Sequence, residues 1–316
     1  MNNYRFGLIG VAGYIAERHL RAIQETGNTL VAALDRFDSV GLIDKYFPDA
    51  DFFTEFERYD RHLDKLRRYE KKIDYITICS PNYLHDSHIR FALRSDADAI
   101  CEKPLVLNPW NIDALKEVEK RTGKNVYTIL QLRYHPVIIE LRKKVQASKK
   151  SEKYNIELTY ITSRGKWYDF SWKGDIQKSG GIATNIGIHF FDMLIWIFGK
   201  VQVNDVHLHT GKKAAGYLEL EKARVKWFLS IDYEDVPEVI KQKGQRTYRS
   251  VTVDNEEIEF SAGFTDLHTK TYQEILKGNG YGLNDARDSV QMVYDIRNST
   301  PANPENAYHP LLQKYL

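Results

Sequence analysis

The first 130 residues alternate short apolar runs with amphipathic stretches, and no other feature of the chain narrows its possible folds so far. The apolar runs at residues 4–9, 30–34, 75–79, 97–101 and 126–130 show little period-two alternation, which predicts strands covered on both faces. Helical periodicity lies between them, over residues 14–26, 63–72, 85–94 and 109–121. Such alternation predicts a parallel sheet with right-handed crossovers. The pattern changes after Gly123. A helix is expected near residues 137–148, a strand at 156–162, and a long apolar helix at 183–198 that Gly199 is placed to stop. Strands then follow one another from residue 201 to 260, several alternating as at Val225, Trp227, Leu229 and Ile231. That predicts an antiparallel sheet with one face open or covered by a partner. Helices near 267–276 and 284–298 return to the core.

The first strand runs into Gly10-Val11-Ala12-Gly13-Tyr14-Ile15 and then a helix. A dinucleotide pyrophosphate needs a tight turn, close backbone approach and a helix N-terminus at that place. Gly10 fits the first glycine of the fingerprint. Ala12 and Ile15 hold the second and third positions, and Gly13 restores some of the missing backbone freedom. The second strand ends at Asp35, 25 residues after Gly10. A carboxylate there accepts hydrogen bonds from both ribose hydroxyls and repels a 2′-phosphate, which favours NAD over NADP; the adjacent Arg36 softens that preference. Ser80-Pro81-Asn82 and His85 follow the fourth strand, on the side where parallel sheets present ligands. The fold class is therefore α/β: an N-terminal Rossmann NAD-binding domain over residues 1–123, and a C-terminal α+β domain over 124–316. The second domain has a mostly antiparallel open sheet and serves substrate binding and oligomerisation.

Glu102-Lys103-Pro104 ends the next strand. A lysine on the crevice side can take a proton from a hydroxyl being oxidised, or donate to the developing carbonyl oxygen. The apolar helix carries Asn185, His189 and Asp192 at i, i+4 and i+7, hence on one face. Polar groups on an otherwise apolar helix are partnered or functional, and Gly180-Gly181 before it permits close backbone approach. The loop from Arg164 through Trp167, Tyr168 and Trp172 mixes cations with aromatics, suited to a carboxylate or phosphate and to a sugar or uracil ring. Gln131, Arg133 and Tyr134 add polar groups near the domain junction.

Composition excludes several classes. Forty-five Lys and Arg balance 43 Asp and Glu, so no bulk field draws nucleic acid. The two cysteines, Cys79 and Cys101, form no C-x-x-C pair, which speaks against a disulfide scaffold or a metal cluster. No basic start precedes an apolar run, and no stretch is read as approaching the ~18 apolar residues of a bilayer span. A cytoplasmic protein with no membrane partner is expected.

Together these residues resemble the Gfo/Idh/MocA family of sugar oxidoreductases over nearly the whole chain. The most specific parts are Glu102-Lys103-Pro104 and the stretch from Gly180-Gly181 to His189. The runs Gly13-Tyr14-Ile15-Ala16 with His19-Leu20, Asp38-Ser39-Val40-Gly41, Tyr46-Phe47-Pro48 and Thr184 to Asp192 are similar to the family's UDP-N-acetyl-2-amino-2-deoxyglucuronate dehydrogenases. The resemblance implies NAD as cofactor, a UDP-sugar acid as substrate, and oxidation of the sugar C3 hydroxyl to a 3-keto group in lipopolysaccharide biosynthesis. It implies Lys103 and His189 as the catalytic polar pair, with either as base. Asn185 stands where the wider family carries Asp. An Asn cannot act as a base but can hydrogen-bond substrate. The implied binding set is Gly10, Ala12, Gly13, Tyr14, Ile15, Asp35, Arg36, Ser80, Pro81, Asn82, His85, Glu102, Lys103 and Gln131 for NAD. For substrate it is Lys103, Arg133, Tyr134, Arg164, Trp167, Tyr168, Trp172, Asn185 and His189. A homo-oligomer, tetramer or dimer, is expected through the open sheet. Dehydrogenation of another sugar or polyol, and a non-catalytic NAD-binding regulator, are the competing readings.

Overall fold

The computed structural model describes residues 3–258, 266–304 and 307–316. Two compact units divide the chain: Met1–Gln131 with Thr265–Arg287, and Leu132–Phe264 with Asp288–Leu316. The first carries β1 (Arg5–Ile9), α1 (Ala16–Glu25), β2 (Thr29–Leu34), α2 (Gly41–Tyr46), β3 (Asp51–Phe53) and α3 (Phe56–Arg68). It continues with β4 (Tyr75–Ile78), α4 (His85–Arg94), β5 (Asp98–Cys101), α5 (Pro109–Thr122) and β6 (Val126–Thr128). The second carries α6 (Pro136–Ala147), β7 (Tyr154–Thr162), the short α7 (Trp167–Phe170) and α8 (Ile176–Ser179), and α9 (Ile188–Phe198). Then come β8 (Val201–His209), β9 (Lys213–Leu220), β10 (Ala223–Ser230), α10 (Glu238–Gln242), β11 (Thr247–Val253) and β12 (Glu256–Glu257). Helix α11 (Leu267–Leu276) belongs to the first unit again, and the last division falls within α12 (Leu283–Asn298).

The first sheet has the order β3-β2-β1-β4-β5-β6, and every neighbouring pair is parallel. All six strands therefore end on one edge, and the order reverses between β1 and β4. The apolar runs are buried as their lack of alternation predicts: all four residues of β4 are inside. Phe6, Leu8, Leu20, Ile23 and Ile100 form one core with Tyr272 of α11. Each such aliphatic or aromatic side chain contributes roughly 1.5–3 kcal/mol by leaving water. Helix α5 starts with Pro109 at its first turn and ends at Gly123, whose φ of 68° is left-handed.

Two expectations need correction here. The boundary near Gly123 is too early, because β6 pairs with β5 in the first sheet, and α11 packs on α1 in the same unit. Helix α3 starts at Phe56 and not at residue 63, since Tyr59 and Leu63 bury the same face one turn apart. The segments α2 and β3 carry too few residues to show a period. Cys79 and Cys101 are buried and unbridged, and burial pushes both thiols up.

The second sheet has the order β12-β11-β7-β10-β9-β8. Its pairs are antiparallel except β7 with β10, which run parallel. Expected strand residues 259 and 260 lie outside the described residues. Val225, Trp227 and Leu229 are buried while Arg224 and Lys226 are exposed, as the alternation predicts. Ile176–Phe198, 23 residues whose most apolar window has a mean hydropathy of 1.4, is long and apolar enough to cross a membrane by length and composition, against expectation. Yet 72% of its most apolar window is buried inside the protein, so its apolarity serves the core.

Gly216 lies on β9 against the Trp227 indole. A Cβ there would come within 2.7 Å of Trp227 Cζ2 and press on the Asp205 carbonyl. Gly216→Ala is expected to cost about 1–3 kcal/mol through overpacking, read as a lower urea midpoint at unchanged slope. An unchanged midpoint would show that β8 and β9 separate freely at this point.

Candidate functional site

In the first unit the strand ends bring the glycine turn, Asp35, Ser80, Lys103 and Gln131 to one edge of the sheet. Gly10 has φ +90°, and a Cβ on it would lie 2.6 Å from the Cys79 carbonyl carbon and 2.7 Å from Ser80 N. Only glycine fits this crossing of two backbones. Gly13 N–H donates to Gly10 O at 3.1 Å and Ala16 N–H to Gly13 O at 3.0 Å, closing the turn into α1. The N-cap residue, Ile15, makes no side-chain cap, and the helix start points its positive dipole end at the turn. Asp35 holds the turn from the other side: Oδ2 accepts from Ala12 N–H at 3.0 Å and Oδ1 from Phe37 N–H at 3.0 Å. A carboxylate oxygen has a second lone pair, so both can still accept from ribose hydroxyls. The Gln131 side-chain carbonyl is buried without a hydrogen-bond partner among the described residues, as a group awaiting a polar ligand would be. These features fit a dinucleotide. Tyr14 and Arg36 are exposed beside the turn.

Other expected cofactor contacts are turned inward. His85 is buried with Nε2 at 2.9 Å from Ser80 O and Nδ1 at 2.7 Å from Pro104 O, so both ring nitrogens face backbone carbonyls. Burial lowers its pKa, opposed by those two bonds. It is a clamp between two strand ends, held through both ring nitrogens. Ser80 Oγ meets His88 Nδ1 at 2.8 Å. Asn82 is buried in a short turn before α4, next to half-buried Pro81. Glu102 is also interior. Its Oε1 accepts from His19 Nε2 at 2.9 Å and His268 Nε2 at 3.0 Å, and its Oε2 from Lys103 N–H at 3.1 Å. Burial alone would raise this carboxyl; the two imidazoles hold it well below the usual range. These three side chains place ligand atoms within 4.8 Å of one another, the spacing a metal ion needs, and hydrogen bonds between them account for that closeness. The Lys103–Pro104 peptide is cis, and Lys103 is half-buried.

In the second unit the helix is not regular. A π segment, Ala183–Gly187, precedes α9 and contains Asn185. The wider turn shifts the i, i+4, i+7 alignment read from the sequence, and π segments are frequent at functional sites. Asn185 Nδ2 donates to Tyr168 Oη at 2.9 Å. Tyr168 is buried, and burial raises its pKa. Its hydroxyl holds the Asn185 amide in place. His189 is half-buried, its ring 4.5 Å from that of Phe190 and 6.0 Å from that of Tyr160. Asp192 grips Arg133 in a buried fork, Nε to Oδ2 at 2.9 Å and Nη2 to Oδ1 at 2.7 Å. Arg133 is thereby an internal ion pair rather than a surface cation awaiting substrate. Tyr134 and Trp172 are half-buried, whereas Arg164 and Trp167 are exposed.

A cavity of about 370 Å³ in this unit is lined by Lys173, Ser179, Gly181, His209 and Arg297, among others. Sequence reasoning missed Arg297 and His209. They lie on α12 and β8, and no local motif announces either. Lys173 stands 5.3 Å from the Trp167 ring centre and 5.7 Å from that of Trp172.

A parallel sheet with its order reversed beside a glycine-cradled helix start, together with a second unit built on a mixed sheet, defines a Rossmann protein of two units. Residues 4–129 match the family model described as oxidoreductase family, NAD-binding Rossmann fold, and residues 152–246 match its C-terminal alpha/beta domain. The chain belongs to the Gfo/Idh/MocA family. The WlbA (WbpB) dehydrogenase from Thermus thermophilus, crystallised with NAD and UDP-GlcNAcA, is 52% identical, with a TM-score of 0.94 over 98% of this chain and 100% of its own. The WlbA dehydrogenase from Bordetella pertussis, crystallised with NADH and UDP-GlcNAcA, shares the fold at 17% identity, with a TM-score of 0.76 over 94% of this chain and 95% of its own. The inositol 2-dehydrogenase of Rhizobium meliloti is 28% identical over 63% of this chain, which spans 56% of that relative's length.

The Arg133–Asp192 fork allows a direct test. Asp192→Asn leaves a buried guanidinium without its counter-charge, and breaking such a pair costs about 3–5 kcal/mol. The expected result is a large drop in the urea midpoint; a change below ~1 kcal/mol would mean that water reaches the pair.

Proposed function

We propose that this chain oxidises the C3 hydroxyl of a UDP-linked N-acetylglucosaminuronic acid to the 3-keto sugar, with NAD as hydride acceptor. The observation that carries this reading is 52% identity, over 98% of the chain, to a dehydrogenase crystallised with NAD and UDP-GlcNAcA. Bound NAD supplies the redox chemistry by taking the C3 hydride. The chain's own residues bind, orient and move the proton. The Gly10 turn and the α1 N-terminus take the pyrophosphate, Asp35 the ribose hydroxyls, and Gln131 a polar edge of the nicotinamide. Lys103 or His189 removes the C3 hydroxyl proton as the hydride leaves, and Asn185, steadied by Tyr168, hydrogen-bonds the sugar. Arg164, Trp167 and Trp172 meet the acidic and uracil groups, and Lys173 and Arg297 add cations in the same unit. The 3-keto product suits a following amination toward a lipopolysaccharide sugar. We place the protein in the cytoplasm as a homo-oligomer, dimer or tetramer. Half-buried Val201, Val203 and Leu208 leave apolar surface on edge strand β8 for a second copy. A monomer in light scattering would remove that part.

Turnover of UDP-N-acetylglucosaminuronic acid is followed by NADH absorbance in one assay and by mass spectrometry of the keto sugar in a second. Only the second includes a 2-keto acid to reoxidise NADH, since the Thermus neighbour was also crystallised with α-ketoglutarate. Lys103→Ala is expected to cut turnover at least ~10²-fold, the scale of a lost acid–base group. Product from free inositol or glucose, with none from the nucleotide sugar, would replace this reading with that of a free-sugar dehydrogenase. Asp35→Ser is expected to weaken NAD by about 10–100-fold, as for loss of charged hydrogen bonds. Unchanged NAD binding by titration would remove Asp35 from the cofactor site.

A further inference from the structure

We propose that His19 and His268 are positioning residues that act on Lys103 through the carboxylate of Glu102. The inference rests on the reading that Lys103 works at the reacting hydroxyl. Glu102 and Lys103 are adjacent, and Glu102 Oε2 accepts the Lys103 backbone N–H at 3.1 Å. Its other oxygen accepts from two imidazoles, at 2.9 and 3.0 Å. One comes from α1 and one from α11, segments 249 positions apart in the sequence. Beyond His19, its Nδ1 lies 2.8 Å from Tyr272 Oη, and Tyr272 Oη lies 2.8 Å from Thr77 Oγ1.

The donor direction of the whole chain follows from Glu102. An ionised carboxylate only accepts, so both imidazoles carry their proton on Nε2. A neutral His19 with Nε2–H must accept at Nδ1, so Tyr272 donates to it. Tyr272 has a single proton, so Thr77 donates to Tyr272. The order is Thr77 to Tyr272 to His19 to Glu102, with His268 and the Lys103 amide converging on the same carboxylate. Every bond polarises toward one point, and chained donors of this kind reinforce one another. His85 grips the next carbonyl, Pro104 O, from the other side. The backbone that aims Lys103 is therefore bracketed by side chains from α1, α4 and α11. Thr77, Tyr272, His19 and His268 are assigned no contact with substrate or cofactor; they act by fixing where Lys103 starts.

The test uses the full chain with NAD bound, and kcat and KM are measured separately. His268→Gln keeps a donor near the Nε2 position, whereas His268→Leu removes it. Tyr272→Phe keeps the ring and removes the hydroxyl that meets His19 Nδ1. His268→Leu and Tyr272→Phe are expected to lower kcat by about 10-fold or more, as misplacement of a catalytic group does. KM for the UDP-sugar and NAD affinity should stay within about twofold, on the same separation of chemistry from binding. His268→Gln should restore most of kcat. If His268→Leu fails to fold, the near-isosteric Tyr272→Phe decides. Wild-type kcat in a folded variant, or equal losses in the Gln and Leu variants, overturns the inference. Lys103→Ala is run in parallel. If it stays active, the reading of Lys103 fails; if it is inactive while Tyr272→Phe is normal, only the positioning network fails.

Discussion

A parallel sheet must be covered on both faces, and its strands can be joined only by crossovers that return the chain to the same edge. The first unit obeys this constraint across six strands, and its consequences reach the site. Every strand delivers its last residue to one edge, so Gly10, Asp35, Ser80, Lys103 and Gln131 gather there although the sequence scatters them over more than a hundred positions. The reversal between β1 and β4 opens that edge to a ligand. Gly10 marks how closely the two strand ends approach, since no side chain fits between its Cα and the Cys79–Ser80 backbone.

Close packing also explains why several polar residues face inward. A histidine or arginine at the end of a buried strand must bond something, and the nearest acceptors are often carbonyls and carboxylates of the protein itself. His85 joins two strand ends through their carbonyls, Arg133 is forked onto Asp192, and Tyr168 holds Asn185. The groups left to face a ligand are fewer than the polar motifs suggest, and better fixed.

The sequence carried the layered part of the fold clearly. The apolar runs that became β1, β2, β4, β5 and β6 lie within a few residues of their expected places, because strands buried on both faces leave a continuous signal. The glycine turn and Asp35 were legible for the same local reason. What was hidden depended on distance along the chain. His19 reads as one polar residue in an amphipathic helix, and His268 as another in a late helix, until Glu102 is seen to join them. The irregular turn at Asn185 has no composition of its own, and Arg297 reaches the cavity from a helix otherwise read as core. The parallel pairing of β7 with β10 was equally invisible, since each strand alternates as an antiparallel one would.

The return of α11 to the first unit has a consequence in time as well as in space. His268 is made 166 residues after the carboxylate it serves. A ribosome that has released the whole six-stranded sheet has still not produced the second imidazole for Glu102, nor Tyr272 for the core beneath it. The nascent first unit therefore waits, its sheet drawn but its buried acid half-answered, while all of the second sheet is synthesised. Completion of the lysine turn is thus tied to synthesis of α11: a chain cut before that helix lacks one of the two imidazoles that hold Glu102.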